Sequence, residues 1–235
     1  MITLWTYKRA MGMPNASPFV MKVETYLRMR ELEYERKVIA NPSKAPKGKL
    51  PVIDDDGDVI YDSELIIEHL ENKYAPGLDA ELNAQQRATA HMLRRTLEEN
   101  FYLVIVYSRW IEPEVWPVIR EVWFGGMPPV VKQLATRMIQ KTVARDTWGH
   151  GMGRHEPETV YKKGADDLAA VAQVLGDQPY IFGDQPHSID AVVYSFVANV
   201  YHIQLDSPSN TLIKPHQNLM DYCDRMRDQY FPEIK

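Results

Sequence analysis

Three short motifs near the start of the chain carry side chains that suit the binding of a thiol peptide. Ser17-Pro18-Phe19-Val20 follows a strand-like segment and precedes an amphipathic one, where a redox protein of similar pattern would carry Cys-Pro-x-Cys. A hydroxyl takes the place of the first cysteine, and proline suits the first turn of a helix. Lys49-Leu50-Pro51-Val52 and then Asp62-Ser63 follow along the chain. We expect a domain that binds a thiol without performing disulfide exchange.

Ser17 is the candidate for contact with the sulfur of a bound thiol. Its hydroxyl lies at the predicted start of a helix, where a hydrogen-bond donor and the positive end of the helix dipole both favour a thiolate. A free thiol has a pKa of about 8.5, and lowering it by about two units is worth roughly 2.7 kcal/mol. Two alternatives stay open. Ser17 only caps the helix, or Asn15 or Tyr7 is the donor to the sulfur.

The second motif depends on the geometry of the Leu50–Pro51 bond. A proline at the start of a strand donates no hydrogen bond to the ladder, so it belongs at an edge or a bend. If the bond is cis, the turn exposes the N–H and C=O of Leu50, which can then pair with an extended peptide as an added strand. The alternative is an ordinary trans proline that enters a strand.

The third motif pairs a carboxylate with a hydroxyl where a strand ends and a helix begins. Ser63 can cap the helix, whose free N–H groups attract a carboxylate, and Asp62 would meet an ammonium group. A ligand with both charges on one carbon, such as a γ-glutamyl group, fits this pair. Simple capping of the helix is the alternative.

These motifs require a framework that brings them together, and residues 1–76 alternate strand and helix patterns. Period-two segments and helical spacing predict the order strand, helix, strand, strand, strand, helix, which indicates helices packed on a small mixed sheet. Asp55-Asp56-Gly57-Asp58 is typical of a hairpin turn. The predicted segments are 2–7, 18–31, 34–39, 52–53, 59–61 and 64–74.

After Pro76-Gly77 the strand patterns fade, and residues 84–235 form a second, all-helical domain in this interpretation. Leu93, Leu97, Phe101 and Val104 recur at helical spacing. A glycine- and histidine-bearing loop is expected over 148–157. The predicted helices are 84–110, 115–124, 129–147, 158–175, 190–201 and 219–230.

Composition narrows the classes of function. A formal charge of −5 argues against nucleic acid as a partner, and a single cysteine, Cys223, indicates a reducing compartment and a packed or half-exposed thiol. The longest apolar run is too short to span a bilayer, and the first residues lack the regions of a signal peptide, so we expect a cytoplasmic protein without a membrane span. We expect no metal, because His150 and His155 lack a third ligand at suitable spacing.

Taken in order, the motifs resemble the glutathione transferase family, with a thioredoxin-like α/β N-terminal domain and an all-α C-terminal domain. Ser17-Pro18-Phe19 matches the position of the family's catalytic serine or cysteine, Lys49-Leu50-Pro51-Val52 its cis-proline motif, and Asp62-Ser63 its acidic-serine pair. Residues 17–29, 149–155 and Asp190-Ala191 are most similar to the branch that contains metaxin and the failed-axon-connections proteins. One departure is His187, which stands where the family places a Ser or Thr cap three residues before Asp190.

The resemblance implies that glutathione binds between the two domains and that its thiolate attacks a small hydrophobic electrophile. Ser17 would stabilise the thiolate. Leu50 and Pro51 would hold the cysteinyl backbone, Asp62 and Ser63 the γ-glutamyl end, and Lys49 a carboxylate. The electrophile would lie near Tyr107, Trp110 and Arg154, and many relatives are homodimers. A non-catalytic binding or scaffold module is the alternative. A thiol reductase is disfavoured, because Ser17 and Val20 fill both redox positions.

Overall fold

The thioredoxin-like half is a four-stranded mixed sheet with two helices in the computed structural model, which describes residues 1–234. The sheet order is β2-β1-β3-β4, with β1 parallel to β2 and antiparallel to β3. The order of elements along the chain confirms the prediction from the sequence. The strands are β1 Ile2–Thr6, β2 Tyr34–Val38, β3 Val52–Asp55 and β4 Asp58–Tyr61, and the helices are α1 Pro18–Met29 and α2 Ser63–Lys73.

The turn between β3 and β4 is a two-residue hairpin. Asp56 and Gly57 both have positive φ, 57° and 100°. Positive φ at both central residues is the type I′ geometry, which matches the twist of the flanking strands and favours an Asp-Gly pair. The Asp54 side chain accepts a hydrogen bond from the Gly57 N–H at 2.9 Å. This confirms the predicted hairpin, and it fixes the register that brings Tyr61 level with Val52.

The second half is helical throughout. Leu93, Leu97, Phe101 and Val104 are buried as their spacing predicts. Between α3 and α4 the helix widens into a π-helical segment, Thr96–Phe101, which the sequence did not indicate. The helices are α3 Ala84–Arg95, α4 Tyr102–Trp110, α5 Trp116–Phe124, α6 Pro129–His150, α7 Pro157–Leu175, α8 Ser188–Tyr201 and α9 Gln217–Tyr230. Helix α6 continues to His150, three residues beyond its predicted end.

Helix α8 connects the apolar cores of the two halves. Ala191 of α8 packs in the core between the sheet and the helices α1 and α2. The other buried apolar side chains of α8 lie in the helical core. Met21 of α1 reaches in the other direction, into the helical core. The two halves therefore meet across a packed seam. Among residues 1–234, no helix has both the length and the apolar character needed to cross a bilayer.

Candidate functional site

All six residues that the sequence analysis proposed for binding line one cleft of about 550 Å³ between the halves. That volume is within the usual range for a small-molecule site. The sheet half contributes Tyr7, Ser17, Phe19, Lys47, Lys49, Leu50, Pro51, Tyr61, Asp62, Ser63 and Glu64. The helical half contributes Arg95, Glu98, Glu99, Tyr102, Leu103 and His150. The structure thus brings the three motifs together, although up to 46 positions separate them along the chain.

Ser17 lies at the N-cap position of α1, but its side chain makes no capping hydrogen bond. Its backbone is extended, with φ −91° and ψ 115°, and Pro18 is the first helical residue. Within residues 1–234 the Ser17 hydroxyl has no hydrogen-bond partner, so capping does not account for it. A donor hydroxyl beside an uncapped helix start is the arrangement that favours an anion there.

Asn15 and Tyr7, the two alternative donors, differ: the side chain of Asn15 is used in hydrogen bonds within the protein, whereas Tyr7 faces the cleft. Asn15 is fully buried. Its amide donates to the Thr6 hydroxyl at 3.0 Å and accepts the Ser17 N–H at 3.0 Å, so it positions Ser17. Tyr7 lines the cleft, and burial, with a smaller effect of Tyr102, raises its pKa to about 12. Tyr7 therefore stays protonated at neutral pH and remains a possible hydrogen-bond donor.

A buried cation holds the loop before Ser17. Arg109 of α4 donates to the Ala16 carbonyl at 2.7 Å and to the Asn199 side chain at 2.9 Å. Among the ion pairs of the described residues none involves Arg109. Burial lowers the pKa of Arg109 to about 10, so the guanidinium is still charged at neutral pH. A positive charge next to the Ala16 carbonyl favours negative charge near Ser17.

The Leu50–Pro51 peptide bond is cis. Strand β3 starts only at Val52, and no backbone hydrogen bond outside the helices and strands of residues 1–234 involves Leu50. Its N–H and C=O are therefore available to an extended peptide, in the manner of an added strand. Lys49 precedes this turn, is exposed, and makes no ion pair within the described part of the chain.

Asp62, rather than Ser63, caps helix α2. The prediction that Ser63 caps α2 is wrong, because Ser63 is already the first helical residue and Asp62 occupies the cap position. Asp62 Oδ1 accepts the N–H groups of Glu64 at 2.9 Å and Leu65 at 3.4 Å. Its second carboxylate oxygen has no partner in residues 1–234. One oxygen of Asp62 thus serves the helix, and the other stays available to a ligand cation.

Ion pairs build the polar wall of the cleft. Glu64 accepts from Arg94 at 2.8 Å and from Arg95 at 2.7 Å. Burial opposes ionisation of Glu64, but the two arginines outweigh it and lower the pKa of its carboxyl. Glu98, in the π-helical segment, accepts from Lys22 of α1 at 2.6 Å. Burial lowers the pKa of Lys22 although Glu98 opposes this. These three ion pairs tie the helical wall to the sheet half.

The predicted position of the electrophile is wrong in detail. Tyr107, Trp110 and Arg154 are not among the residues lining the cleft. Tyr107 is buried beside Tyr161, Trp110 packs on Trp116 at 5.4 Å, and Arg154 donates to the Trp148 carbonyl at 2.9 Å. Residue spacing predicted the helix that carries Tyr107 and Trp110 but not which of its side chains face the cleft.

The apolar end of the cleft is formed by Phe19, Tyr102 and Leu103 instead. Phe19 contacts Tyr102 edge to face, with ring centroids 4.8 Å apart. His150, from the predicted histidine loop, also lines the cleft. Within the described residues, no group of three or more His, Cys, Asp or Glu side chains is placed to hold a metal.

Cys223 lies away from the cleft. It is fully buried in the helical core, and burial raises the pKa of its thiol well above the usual value. Val20, at the second redox position of the first motif, is also fully buried. Disulfide exchange therefore has no thiol at this site in residues 1–234.

The buried carboxylate of Asp190 secures the start of α8 in spite of the histidine at its cap. It accepts hydrogen bonds from the N–H groups of Ile181 at 2.9 Å and His187 at 2.8 Å and from the Tyr222 hydroxyl at 3.1 Å. Burial raises the pKa of Asp190 to about 6 against these hydrogen bonds. The missing Ser or Thr cap is offset by Ser188, whose N–H and hydroxyl donate to Asp79 at 2.9 and 2.6 Å.

Comparison with known proteins identifies the class. The family models described as the glutathione S-transferase N-terminal domain and the glutathione S-transferase C-terminal domain match residues 18–115 and 164–226. The isoprene-epoxide–glutathione S-transferase of Rhodococcus sp. is 36% identical over 240 residues, covering 98% of this chain and 99% of the relative. The chain belongs to the glutathione S-transferase family.

Its relatives include the predicted branch. Failed axon connections of Drosophila melanogaster is 29% identical over 99% of this chain, which spans 58% of that protein. Human metaxin-1 is 31% identical over 97% of this chain, which spans 51% of it. A solved glutathione S-transferase of Ceriporiopsis subvermispora in complex with glutathione superposes with a TM-score of 0.69 at 15% identity, covering 97% of each chain. That likeness shows the shared fold.

Proposed function

We propose that the protein binds glutathione in this cleft and conjugates the glutathione thiolate to a small hydrophobic electrophile. The observation that carries the proposal is the unpartnered Ser17 hydroxyl at the uncapped start of α1, on the same cleft as Leu50 and Asp62. Leu50 offers a main-chain donor and acceptor to the cysteinyl residue, with Pro51 fixing the turn. Asp62 and the α2 start at Ser63 suit the ammonium and carboxylate of a γ-glutamyl group, and Lys49 suits the remaining carboxylate.

The reaction needs the thiolate, since the thiolate is the nucleophile. Donation from Ser17, the start of α1 and the buried Arg109 cation all favour the ionised sulfur. The sulfur forms a bond to carbon while the bond to the leaving group breaks. For an epoxide the carbon–oxygen bond breaks, and the alkoxide takes a proton from water. We propose epoxides of small alkenes as one class of electrophile, since the Rhodococcus relative is named for isoprene epoxide and the cleft has an apolar end at Phe19 and Leu103.

The test measures the thiol pKa of bound glutathione by the ultraviolet absorbance of the thiolate, together with conjugation rates for chlorodinitrobenzene and isoprene epoxide. In Ser17→Ala we expect the pKa to rise by about one to two units and the rate at neutral pH to fall about tenfold to a hundredfold. Ser43→Ala, at an exposed serine outside the cleft, is the matched control. An unchanged thiol pKa in Ser17→Ala would remove Ser17 from the mechanism.

The second candidate function is a non-catalytic binding or scaffold module with the same fold. Two relatives, failed axon connections and metaxin-1, favour it, since neither name states a transferase activity. Calorimetry separates the candidates. Glutathione binding that depends on Asp62, without conjugation of either electrophile, supports the module, while turnover that depends on Ser17 supports the enzyme.

We propose a cytoplasmic homodimer as the working form, in line with the family resemblance. Leu65 of α2 and Met92 of α3 are 48% and 58% exposed, on the helices through which many relatives pair. Sedimentation that shows a single 27.2 kDa species at micromolar concentration would contradict the dimer.

A further inference from the structure

Helix α6 carries a row of large apolar side chains that nothing in the described chain covers. Val130, Val131, Leu134 and Met138 are 80%, 55%, 64% and 64% exposed, and Trp148 is 57% exposed. At 100° per residue these positions fall on one side of the helix, here called the outer face of α6. Such a row is unusual, because folded proteins seldom leave adjoining apolar residues in water.

The row does not contribute to packing of the helix. The opposite side of α6 faces the protein, where Thr136 and Thr147 are buried. Lys132, also on that side, reaches back to Glu121 of α5 at 2.5 Å. The fold therefore already uses one side of α6, and the apolar residues on the other side are free for a partner.

The outer face is also basic. Arg137 and Lys141 lie among the apolar residues by helical spacing, and neither makes an ion pair within residues 1–234. Arg145 follows on the same side and pairs with Asp146 at 2.8 Å, an exposed contact of small effect. This local excess of cations stands on a chain with a net charge of −5. An acidic partner is thus favoured at this helix in particular.

A second copy of the chain fits this face poorly. A parallel arrangement would set Arg137 and Lys141 of one copy against the same cations of the other. An antiparallel arrangement would set the basic end of one helix against the apolar residues at Val130 and Val131 of the other. In neither arrangement do Arg137 and Lys141 of one copy meet a carboxylate of the other, because no Asp or Glu lies on the outer face of α6.

We propose that the outer face of α6 binds an anionic lipid surface. A single convex helix with apolar residues, flanking cations and a tryptophan suits the boundary between lipid headgroups and acyl chains, in the plane of the membrane. The helix has 22 residues, which gives about 33 Å of contact length. Leu134 and Met138 would enter the acyl boundary while Arg137 and Lys141 meet lipid phosphates.

The experiment is flotation of the full chain with vesicles of phosphatidylcholine, with or without phosphatidylserine. We expect binding only to vesicles that contain phosphatidylserine, and its loss at high salt. Each cation contributes about fivefold near such a surface, so Arg137→Gln/Lys141→Gln should weaken partitioning by about 25-fold. Leu134→Gln/Met138→Gln should weaken it at least tenfold, through loss of buried apolar area. Glutathione binding should be unchanged in both variants.

Matched controls keep the test specific. Lys44→Gln/Lys214→Gln removes two exposed lysines elsewhere, and Met92→Gln removes an exposed methionine from α3. Both should bind vesicles like the native chain. Equal partitioning onto both kinds of vesicle, or none, would overturn the proposal. A dimer that dissociates in Leu134→Gln/Met138→Gln would assign the face to a second copy, and capture of an acidic peptide without vesicle binding would assign it to a protein.

Discussion

Breaking the buried ion pair between Lys22 and Glu98 should destabilise the protein more than any exposed charge change. The two side chains are 0% and 7% exposed, and their atoms lie 2.6 Å apart. In Glu98→Gln the Lys22 cation stays buried without its counterion. Removing one partner from such a pair typically costs about 3–5 kcal/mol. At roughly 2–4 °C per kcal/mol for a chain of this size, the melting temperature should fall by about 6–20 °C.

The sign of the pH dependence gives a second readout. Burial already holds the pKa of Lys22 below that of an unfolded lysine, and loss of Glu98 lowers it further. Between the folded and unfolded pKa values the unfolded chain binds more protons, so stability rises with pH there. Glu98→Gln should therefore recover part of its lost stability as the pH rises towards the pKa of a free lysine. Denaturant unfolding at neutral and alkaline pH measures this recovery.

Two further variants make the experiment decisive. Glu99→Gln alters the neighbouring carboxylate, which is 64% exposed, and should change stability by less than about 0.5 kcal/mol. Lys22→Met/Glu98→Leu removes both charges and should regain most of the loss. A Glu98→Gln chain within about 1 kcal/mol of the native one, or a double variant no better than the single one, would refute the reasoning.

Two further substitutions and one labelling experiment test other parts of the structure. Arg109→Met should lower stability by about 2–3 kcal/mol in denaturant unfolding, because the Ala16 carbonyl loses its buried donor. It should also raise the thiol pKa of bound glutathione. Arg109→Lys keeps the positive charge, so it should lose less stability and raise the thiol pKa less. Hydrogen bonds from Arg28 and Arg9 outweigh burial and lower the pKa of Glu233 to about 2. The stability that the Glu233 carboxylate contributes is therefore present above its unfolded pKa and lost as the pH falls towards 2. Because the side chain is 41% exposed, Glu233→Gln should lower the free energy of unfolding by only about 1 kcal/mol at neutral pH and leave it unchanged in acid, as denaturant unfolding can measure. Cys223 should resist alkylation until the chain unfolds, as mass spectrometry can show, because its thiol is buried and its pKa is raised.

Periodicity predicted the elements well, because strands and amphipathic helices bury alternate or every third to fourth residue. Leu93 and Phe101 were identified as core residues in this way, and both are buried. The same pattern in α6 indicated a helix but could not show that Leu134 faces water, since spacing defines a face without saying what covers it. The exposed apolar row on α6 could therefore be identified only from the structure.

The site was partly predictable for a related reason. Ser17, Leu50 and Asp62 stand beside proline or at strand–helix junctions, where residue types restrict the backbone. The capping role of Asp62 depends on where helical dihedral angles begin, at Ser63, which a two-residue motif leaves open. The wall from Arg95 to Leu103 depends on the π-helical segment, and no residue type marks it.

Because α8 contributes to both apolar cores, a substitution that destabilises one half should also destabilise the other. Two residues of α8 reach the N-terminal half: Ala191 lies within the sheet core, and Asn199 donates to the Asn15 carbonyl, two residues before Ser17. A rigid-body separation of the two halves to open the cleft would expose apolar surface of both halves to water. Accommodation of electrophiles of different size must then come from side-chain rearrangement at the rim, and melting should proceed as one cooperative event.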